Sequence, residues 1–495
     1  MRYVTVGWLG ASLLAALSGA TALNKRAAID DCLQSASVPV DTPGSSDWKA
    51  DAAPYNPRLT YTPVAIAVPT KAEHIQSAVS CAAKVGLKVN AKSGGHSYAS
   101  LGFGGEDGHL MVQLDRMYNV TLNKATNIAT IQAGARLGHV ASELYNQGQR
   151  AFAHGTCPGV GVSGHSLHGG FGMSSHLHGL ALDWISGMTV VLANATLVHC
   201  SETENPDLFW AMRGAGSNFG IATSYEFNTF AAPSSVTWFT ASLPLTKANG
   251  VAGLEALEDF VKNTMPAELN MRIFASSAFT QLEGQFFGNA TGLGTALAPL
   301  LAKTGGSIQQ SQSTGWLDAL THYANGKLDV THPYSLQETI YAKSLELTGL
   351  NGTAAKNFVN YWFDTAKNMQ SRSWYFQLDM HGGKSSAITT GNHASSSYAH
   401  RDKLYLIQFY DRQYSGAYPA NGYSFLDGWV ATTTAALAKP DWGMYINYAD
   451  SSLSRAVAQD VYYGASLPRL QRIKAAVDPK ELFYYPQSIQ PNATA

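Results

Sequence analysis

The sequence predicts a two-domain protein of mixed helix and strand, α/β or α+β, and three observations lead there. From Thr60 to Phe230, short strand and helix patterns alternate and are joined by glycine turns. From Ala231 to Lys439 the glycine turns thin out, and aromatic and β-branched strand patterns alternate with longer helical ones. With 495 residues, 45% of them hydrophobic, the chain exceeds what one core organises and can fill two.

Taken in order, Met1 and Arg2 precede an apolar run from Val4 to Leu17 and the small-residue end Ala20-Thr21-Ala22. Residues 1–22 therefore read as a secretory signal peptide, and the protein as secreted and extracellular. That run is too short to anchor in a membrane, and no later run is long enough to span one. Lys25-Arg26 is either a second processing point or a solvated turn. Thr70-Lys71-Ala72-Glu73 reads as a capping box, followed by Ile75, Val79, Ala82 and Ala83 at helical spacing, with Gly86 as the stop. Leu87, Val89 and Ala91 alternate as a strand that runs straight into Lys92-Ser93-Gly94-Gly95-His96-Ser97-Tyr98. Asn205-Pro206-Asp207 opens a helix, with proline at its first position and an acid in its first turn. The chain closes with Asn447-Tyr448-Ala449-Asp450, a helix around Leu467 to Ala476, and Asp478-Pro479, and it contains no internal repeat.

Charge and cysteine usage narrow the function. Thirty-three basic residues against 34 acidic ones leave no electrostatic footprint for nucleic acid or an anionic membrane, so the expected partner is small and uncharged. Asn119, Asn194, Asn289, Asn351 and Asn492 each begin an N-x-[ST] acceptor site. Four cysteines are too few for a disulfide scaffold. Cys32 and Cys81 are expected to pair with each other in an oxidising compartment, and Cys200, ending an apolar strand, to be buried. Cys157 stands in the turn-rich Gly155-Thr156-Cys157-Pro158-Gly159, where a thiol is accessible, and an accessible thiol outside the cell calls for chemistry that consumes it.

Glycine is dense in three segments, 94–108, 155–172 and 214–220. A diphosphate needs backbone N–H groups at close range, and glycine removes the side chains that would block them. Gly159-x-Gly161-x-x-Gly164, with Asp183 downstream, matches a dinucleotide fingerprint literally. Such a fingerprint lies between a strand and a helix, whereas here Pro158 precedes it and Gly169, Gly170 and Gly172 interrupt any helix behind it, so the Rossmann reading is set aside. His154, His165, His168, His176 and His178 crowd the same region. Neither H-E-x-x-H nor a paired-cysteine pattern accompanies them, and no metal is expected.

Gly94-Gly95-His96-Ser97-Tyr98, Gly102-Phe103-Gly104-Gly105-Glu106-Asp107-Gly108, His154-Gly155-Thr156-Cys157, the 161–172 stretch, Ser201-Glu202-Thr203-Glu204-Asn205, and the Asn447-Tyr448 and Asp478-Pro479 ending together resemble one group. It is the vanillyl-alcohol-oxidase (PCMH-type FAD) superfamily, berberine-bridge-enzyme branch, and within it the fungal oligosaccharide oxidases. The resemblance covers essentially the whole mature chain. It implies an α+β fold, with a VAO/PCMH-type two-part FAD-binding domain (23–230 completed by 440–495) and an inserted substrate domain (231–439) on an antiparallel sheet flanked by helices. It also implies FAD held by two covalent links, His96 to the flavin 8α-methyl and Cys157 to C6, which hold the ring and withdraw electron density from it. Gly94, Gly95, Ser97, Thr156, Gly161, Gly164, Gly169, Gly170 and Ile221 are the matching positions around the cofactor.

The resemblance implies the chemistry as well. Oxidising the anomeric C1 of a β-1,4-linked oligosaccharide requires removal of the hydroxyl proton and transfer of hydride to flavin N5, with molecular oxygen becoming hydrogen peroxide and the sugar a lactone. Tyr448 matches the base and Asp379 the carboxylate that accepts its proton. Tyr98, Arg272, Glu338, Tyr375, Gln377, Gln408 and Tyr445 match the sugar groove. Arg272 stands where chitooligosaccharide-type members carry glutamine, which favours neutral cello- or xylo-oligosaccharides. Phe171 and Tyr375 replace a tyrosine and a tryptophan of the glucose-type pattern, and Phe274 replaces an acid, so the subsites differ in shape. Two other readings stand beside this one: a berberine-bridge-like oxidase of a small alcohol or alkaloid, and a secreted sugar-binding protein without catalysis. The chain is expected to act as a monomer.

Overall fold

The computed structural model describes residues 24–328, 336–369 and 372–495, so the signal-peptide assignment to 1–22 lies outside the described residues. A helix at 24–35 is stapled to the helix Ala72–Val85 by the Cys32–Cys81 disulfide, the expected pairing. Gly86 stops the second helix in a left-handed conformation, as expected. The capping box does not form: Lys71 is the cap residue and makes no side-chain bond to the helix. Thr70 Oγ1 sits 3.4 Å from His74 Nδ1 instead, because the helix begins one residue too late for the threonine to cap it.

Two small sheets organise the N-terminal part. Four strands lie in the order Val40–Asp41, Ala65–Ala67, Leu110–Gln113, Val89–Lys92, and the last three pair in parallel. Five antiparallel strands follow, ordered Val120–Asn123, Ile128–Gln132, Ile221–Asn228, Ile185–Val191, Leu197–Ser201, and Cys200 is buried in the last of them as expected. The helix Pro206–Ala215 starts at its proline, although Asn205 points its amide to the His199 carbonyl at 2.7 Å rather than capping the helix.

The larger body is one eight-stranded antiparallel sheet, ordered Ile308–Thr314, Val236–Ser242, Thr280–Phe286, Leu269–Ser276, Ser373–Met380, Tyr405–Gln413, Thr339–Leu347, Trp442–Gly443. Alternation along its strands separates two faces. Phe376 and Phe409 pack under helices Gly352–Asn360 and Ala420–Thr434 against Phe358 and Trp429. Tyr375, Gln377, Asp379 and Gln408 turn the other way, toward the N-terminal part. The short strand Trp442–Gly443 pairs with Glu346–Leu347, so residues beyond 439 begin as an edge of this sheet. The tail then returns to the first sheet: Val89 N donates to Leu482 O at 2.9 Å, and the buried Lys474 ammonium donates to Asn218 O and Phe483 O while pairing with Asp478 at 2.6 Å. Among the described residues no helix is long and apolar enough to cross a membrane.

Candidate active site

The strand Val89–Lys92 delivers Ser93–Tyr98 to a cavity of about 300 Å³, at the carboxyl end of a parallel strand, where α/β sheets bind ligands. One wall is almost pure backbone. A Cβ on Gly161 would stand 2.1 Å from the Gly94 nitrogen, and one on Gly94 2.2 Å from the Gly161 nitrogen, so the two segments touch main chain to main chain. The buried guanidinium of Arg136 ties them together by donating to Gly94 O at 2.7 Å and to Gly159 O. Gly164 lines the cavity with nothing within 4 Å of where its Cβ would sit. Leu137, Val160, Ile221 and Phe483 make the neighbouring walls apolar, and Ser163, His168 and Ser217 add polar edges. This glycine cradle with apolar sides suits a flat dinucleotide, which needs exposed amides along its phosphates and a greasy slot for its rings.

His96 and Cys157 both face this cavity. The His96 ring stacks on Tyr55 with centroids 3.9 Å apart, and burial pushes its imidazole down to about 4, so the ring is neutral. Burial pushes the Cys157 thiol up, while Arg272 and the Thr156 hydroxyl pull the other way, toward the nucleophilic thiolate.

The sheet supplies the opposite wall. Strand register sets Arg272 beside Asp379, and Gln377 between Phe274 and Gln408. Arg272 Nη2 pairs with Glu283 at 2.6 Å, leaving its positive field to act on Asp379 as well. Burial raises the Asp379 carboxyl to about 7, with Arg272 restraining the rise. Burial, then the Asp379 carboxylate, holds the Tyr448 phenol well above its ordinary value. Tyr448 stacks on Tyr98 at 6.1 Å and meets Tyr445 edge-on at 5.1 Å. Gln408 Nε2 donates to Tyr98 Oη at 2.8 Å. Tyr375 is sandwiched between Phe274 and Tyr410 at 5.2 and 4.8 Å.

The cavity thus gathers His96, Cys157, Gly94, Gly95, Ser97, Thr156, Gly161, Gly164, Ile221, Tyr98, Arg272, Tyr375, Gln377, Asp379, Gln408, Tyr445 and Tyr448. Three expected residues lie off its lining. Gly169 and Gly170, with φ of 126° and 92°, form a turn packed against Tyr445 and His165, so they shape the wall from behind. Glu338 is occupied by Tyr410 and by Arg412 at 3.1 Å. Tyr445 lines the cavity, but its hydroxyl accepts from Gly170 N at 2.8 Å, Phe171 N at 3.2 Å and Asn447 Nδ2 at 3.0 Å. It braces that turn while its side chain lines the cavity. The crowded histidines disperse: His165 Nε2 accepts from Gly155 N, His168 bonds Gly164 O and Ser217, and His178 stacks on Phe230. Asp183 accepts from Leu180 N and Arg401, away from any nucleotide role. Sequence reasoning missed Arg136 and Tyr55, and it quoted Asn447 only within a motif, without its bond to Tyr445. A lone arginine in the apolar run Ala133–Val140 was the available signal for the first, and nothing local marks Tyr55.

All five acceptor asparagines are exposed. Asn351 differs from the rest because its Nδ2, the atom a glycan would occupy, donates to Glu258 at 2.8 Å.

Comparison with known proteins agrees with this geometry. Residues 63–201 match the family described as FAD binding domain, and 444–490 match berberine and berberine like. The chain is 56% identical over 474 residues to the xylooligosaccharide oxidase of Thermothelomyces thermophilus, covering 94% of this chain and 95% of that protein. The solved xylooligosaccharide oxidase from Myceliophthora thermophila C1 in complex with xylobiose superposes with a TM-score of 0.92 at 56% identity, over 94% of this chain and 99% of that one. A solved glucooligosaccharide oxidase from Acremonium strictum, described as carrying 6-S-cysteinyl, 8α-N1-histidyl FAD, superposes with a TM-score of 0.92 at 45% identity, over 94% of this chain and all of that one.

Proposed function

Because the chain belongs to the fungal oligosaccharide oxidases, FAD-linked oxidoreductases that act on carbohydrates, we propose that it is a secreted oxidase of the anomeric C1 hydroxyl of β-1,4-linked cello- and xylo-oligosaccharides. The supporting observation is one cavity in which His96 and Cys157 stand across from Tyr448, Asp379 and a sheet face of aromatic and amide side chains. In this reading His96 bonds the flavin 8α-methyl and Cys157 its C6, residues 23–230 and 440–495 form the cofactor domain, and 231–439 bind the sugar. Held by His96 and Cys157, FAD would supply the hydride acceptor and an outlet for the electrons to oxygen, so that the products would be a lactone and hydrogen peroxide.

The protein's part is to move one proton and hold one ring. A phenol held well above its ordinary pKa is a poor base by itself, so Tyr448 takes the sugar hydroxyl proton only as its own proton leaves. Asp379, at about 7, is the acceptor matched to that task near neutral pH. Arg272 keeps enough of Asp379 ionised to serve. Tyr98, Gln377 and Gln408 present hydroxyl and amide groups to the sugar's oxygens, and the ring of Tyr375 offers an apolar edge. Phe274 and Phe171 replace polar or larger family residues and give the groove a drier, differently shaped wall, consistent with selection of xylose units.

A panel of cello-, xylo- and chito-oligosaccharides, scored for peroxide and for the aldonic acid that follows the lactone, tests this directly. Turnover on xylo- and cello-oligomers with the acid at C1 is expected. Silence on every β-1,4 oligomer alongside turnover of a small alcohol would replace this reading with the berberine-bridge-like one. Flavin that precipitates with acid-denatured polypeptide is expected, with His96→Ala and Cys157→Ala each leaving one link.

A further inference from the structure

Behind the cofactor cavity lies a second, much smaller space, and Gly155, Thr156 and Met173 line both. It leaves about 10 Å³ for the centre of a water-sized sphere, room for one molecule. Three side chains bordering it are nearly wholly buried, His154 at 6% exposed and Gln285 and Trp316 at 1% each. Each leaves one polar atom without a protein partner among the described residues: His154 Nε2, Gln285 Oε1 and Trp316 Nε1. They come from three separate elements, the loop that carries Cys157, the strand Thr280–Phe286 and the helix Trp316–Ala324.

What each atom lacks is fixed by its neighbours. Gln285 Nε2 donates to Met173 O at 3.0 Å, so its Oε1 is the unmet acceptor. His154 Nδ1 lies 2.8 Å from Gly155 O, which can only accept, so Nδ1 carries the proton and Nε2 is an acceptor too. Burial favours that neutral ring by pushing the His154 imidazole down. Trp316 Nε1–H can only donate. The His154 and Trp316 rings meet nearly at right angles, 6.4 Å apart, at the edge of this space.

One donor and two acceptors around a single-molecule space are the complement of water, which accepts and donates twice. An ammonium or metal cation would face the Trp316 N–H, and dioxygen has no proton for either acceptor. We propose that this cavity holds one structural water that accepts from Trp316 Nε1 and donates to Gln285 Oε1 and His154 Nε2. The same water braces the His154–Cys157 loop against the sheet and helix, presenting the Cys157 sulfur to the cofactor cavity. The bracing role rests on the reading of Cys157 as a flavin tether; the water site does not.

A crystal structure of the holoprotein at a resolution that shows ordered solvent tests the site. One peak about 2.7–3.2 Å from all three atoms is expected, and an empty cavity or a peak reaching only one of them overturns the proposal. The brace is tested in the His96→Ala background, where Cys157 is the remaining tether, by the ratio of flavin retained to flavin released on acid denaturation. Adding Trp316→Phe is expected to lower that ratio about fivefold, the effect of one lost hydrogen bond. Phe287→Leu, which loosens the packing on Trp316 from outside this cavity, is expected to lower Tm and leave the ratio unchanged. An unchanged ratio in Trp316→Phe, or an equal fall in Phe287→Leu, overturns the brace. Gln285→Met is the second variant if Trp316→Phe does not fold, with the same expected fall. If His96→Ala alone releases all its flavin, the tether reading and the brace fall together, and the water peak is judged on its own map.

Discussion

The two walls of the cavity are built on opposite principles. The nucleotide wall is main chain, where Gly94 and Gly161 touch and no side chain fits between them. The sugar wall is side chain, where strand register lines up Asp379 with Arg272 and Gln377 with Gln408 on one face. The first recognises a cofactor common to many enzymes and has no freedom to vary. The second is made of side chains such as Tyr375 and Phe274, and in the proposed function that is where sugar preference would be set.

Substitutions on each wall sharpen that contrast. Tyr448→Phe should lower kcat by about 10²–10⁴, the usual contribution of a positioned base, with the fold and bound flavin retained in the absorbance spectrum. Gly161→Ala forces a methyl against the Gly94 backbone and should cost about 1–3 kcal/mol of stability, read as a lower Tm and poorer flavin loading, with no selective effect on any sugar. If it loads normally with an altered sugar preference, the division of labour between the walls is wrong. Tyr375→Ala removes a ring that stacks on two others and should raise KM about 2–10-fold with little change in kcat.

Two buried carboxyls divide the pH response in the same way. In the proposed mechanism Asp379 must be ionised to accept the Tyr448 proton, so kcat/KM should climb through about pH 7 and fall away below it, and Asp379→Asn should abolish that limb along with most of the rate. Glu346 has no such duty. Burial raises it to about 8, and it is bonded to the Tyr398 hydroxyl with His381 and His400 at 3.7 and 3.6 Å. Unfolded, this glutamate ionises near its ordinary 4.5, so the native state keeps a proton that the unfolded chain has released. Its contribution to stability is complete below about 4.5 and is lost as pH rises through about 8. Glu346→Gln should flatten the decline of Tm over that window, the smallest effect of the set, and an unchanged slope would show that Glu346 is already ionised in the native protein.

Local chemistry made the cofactor wall readable. His96 and Cys157 sit in short glycine motifs whose backbone requirements are carried by the residues themselves, and the Gly86 stop and the Pro206 helix start follow from the same short-range logic, whereas the Cys32–Cys81 pair, 49 residues apart, followed from the oxidising compartment. Local reading failed where geometry one residue away decided the outcome, as at Thr70, and it could not foresee partners brought from elsewhere in the chain, such as Gly170 on the Tyr445 hydroxyl and Arg412 on Glu338.

By itself the sequence determined that glycine segments could expose backbone amides to a diphosphate and that Cys157 stands in an accessible turn, because glycine and cysteine carry those properties wherever they stand; the flavin, its two tethers and the Tyr448 phenol were legible only through the family resemblance of the motifs. Only the tertiary structure decided that Asp379 titrates near neutrality beside Arg272, that Arg136 clamps the two glycine segments, and that Tyr445 braces a turn. Burial and field at those sites are sums over segments that meet only when the sheet closes on the N-terminal part, and no stretch of the chain carries that sum alone.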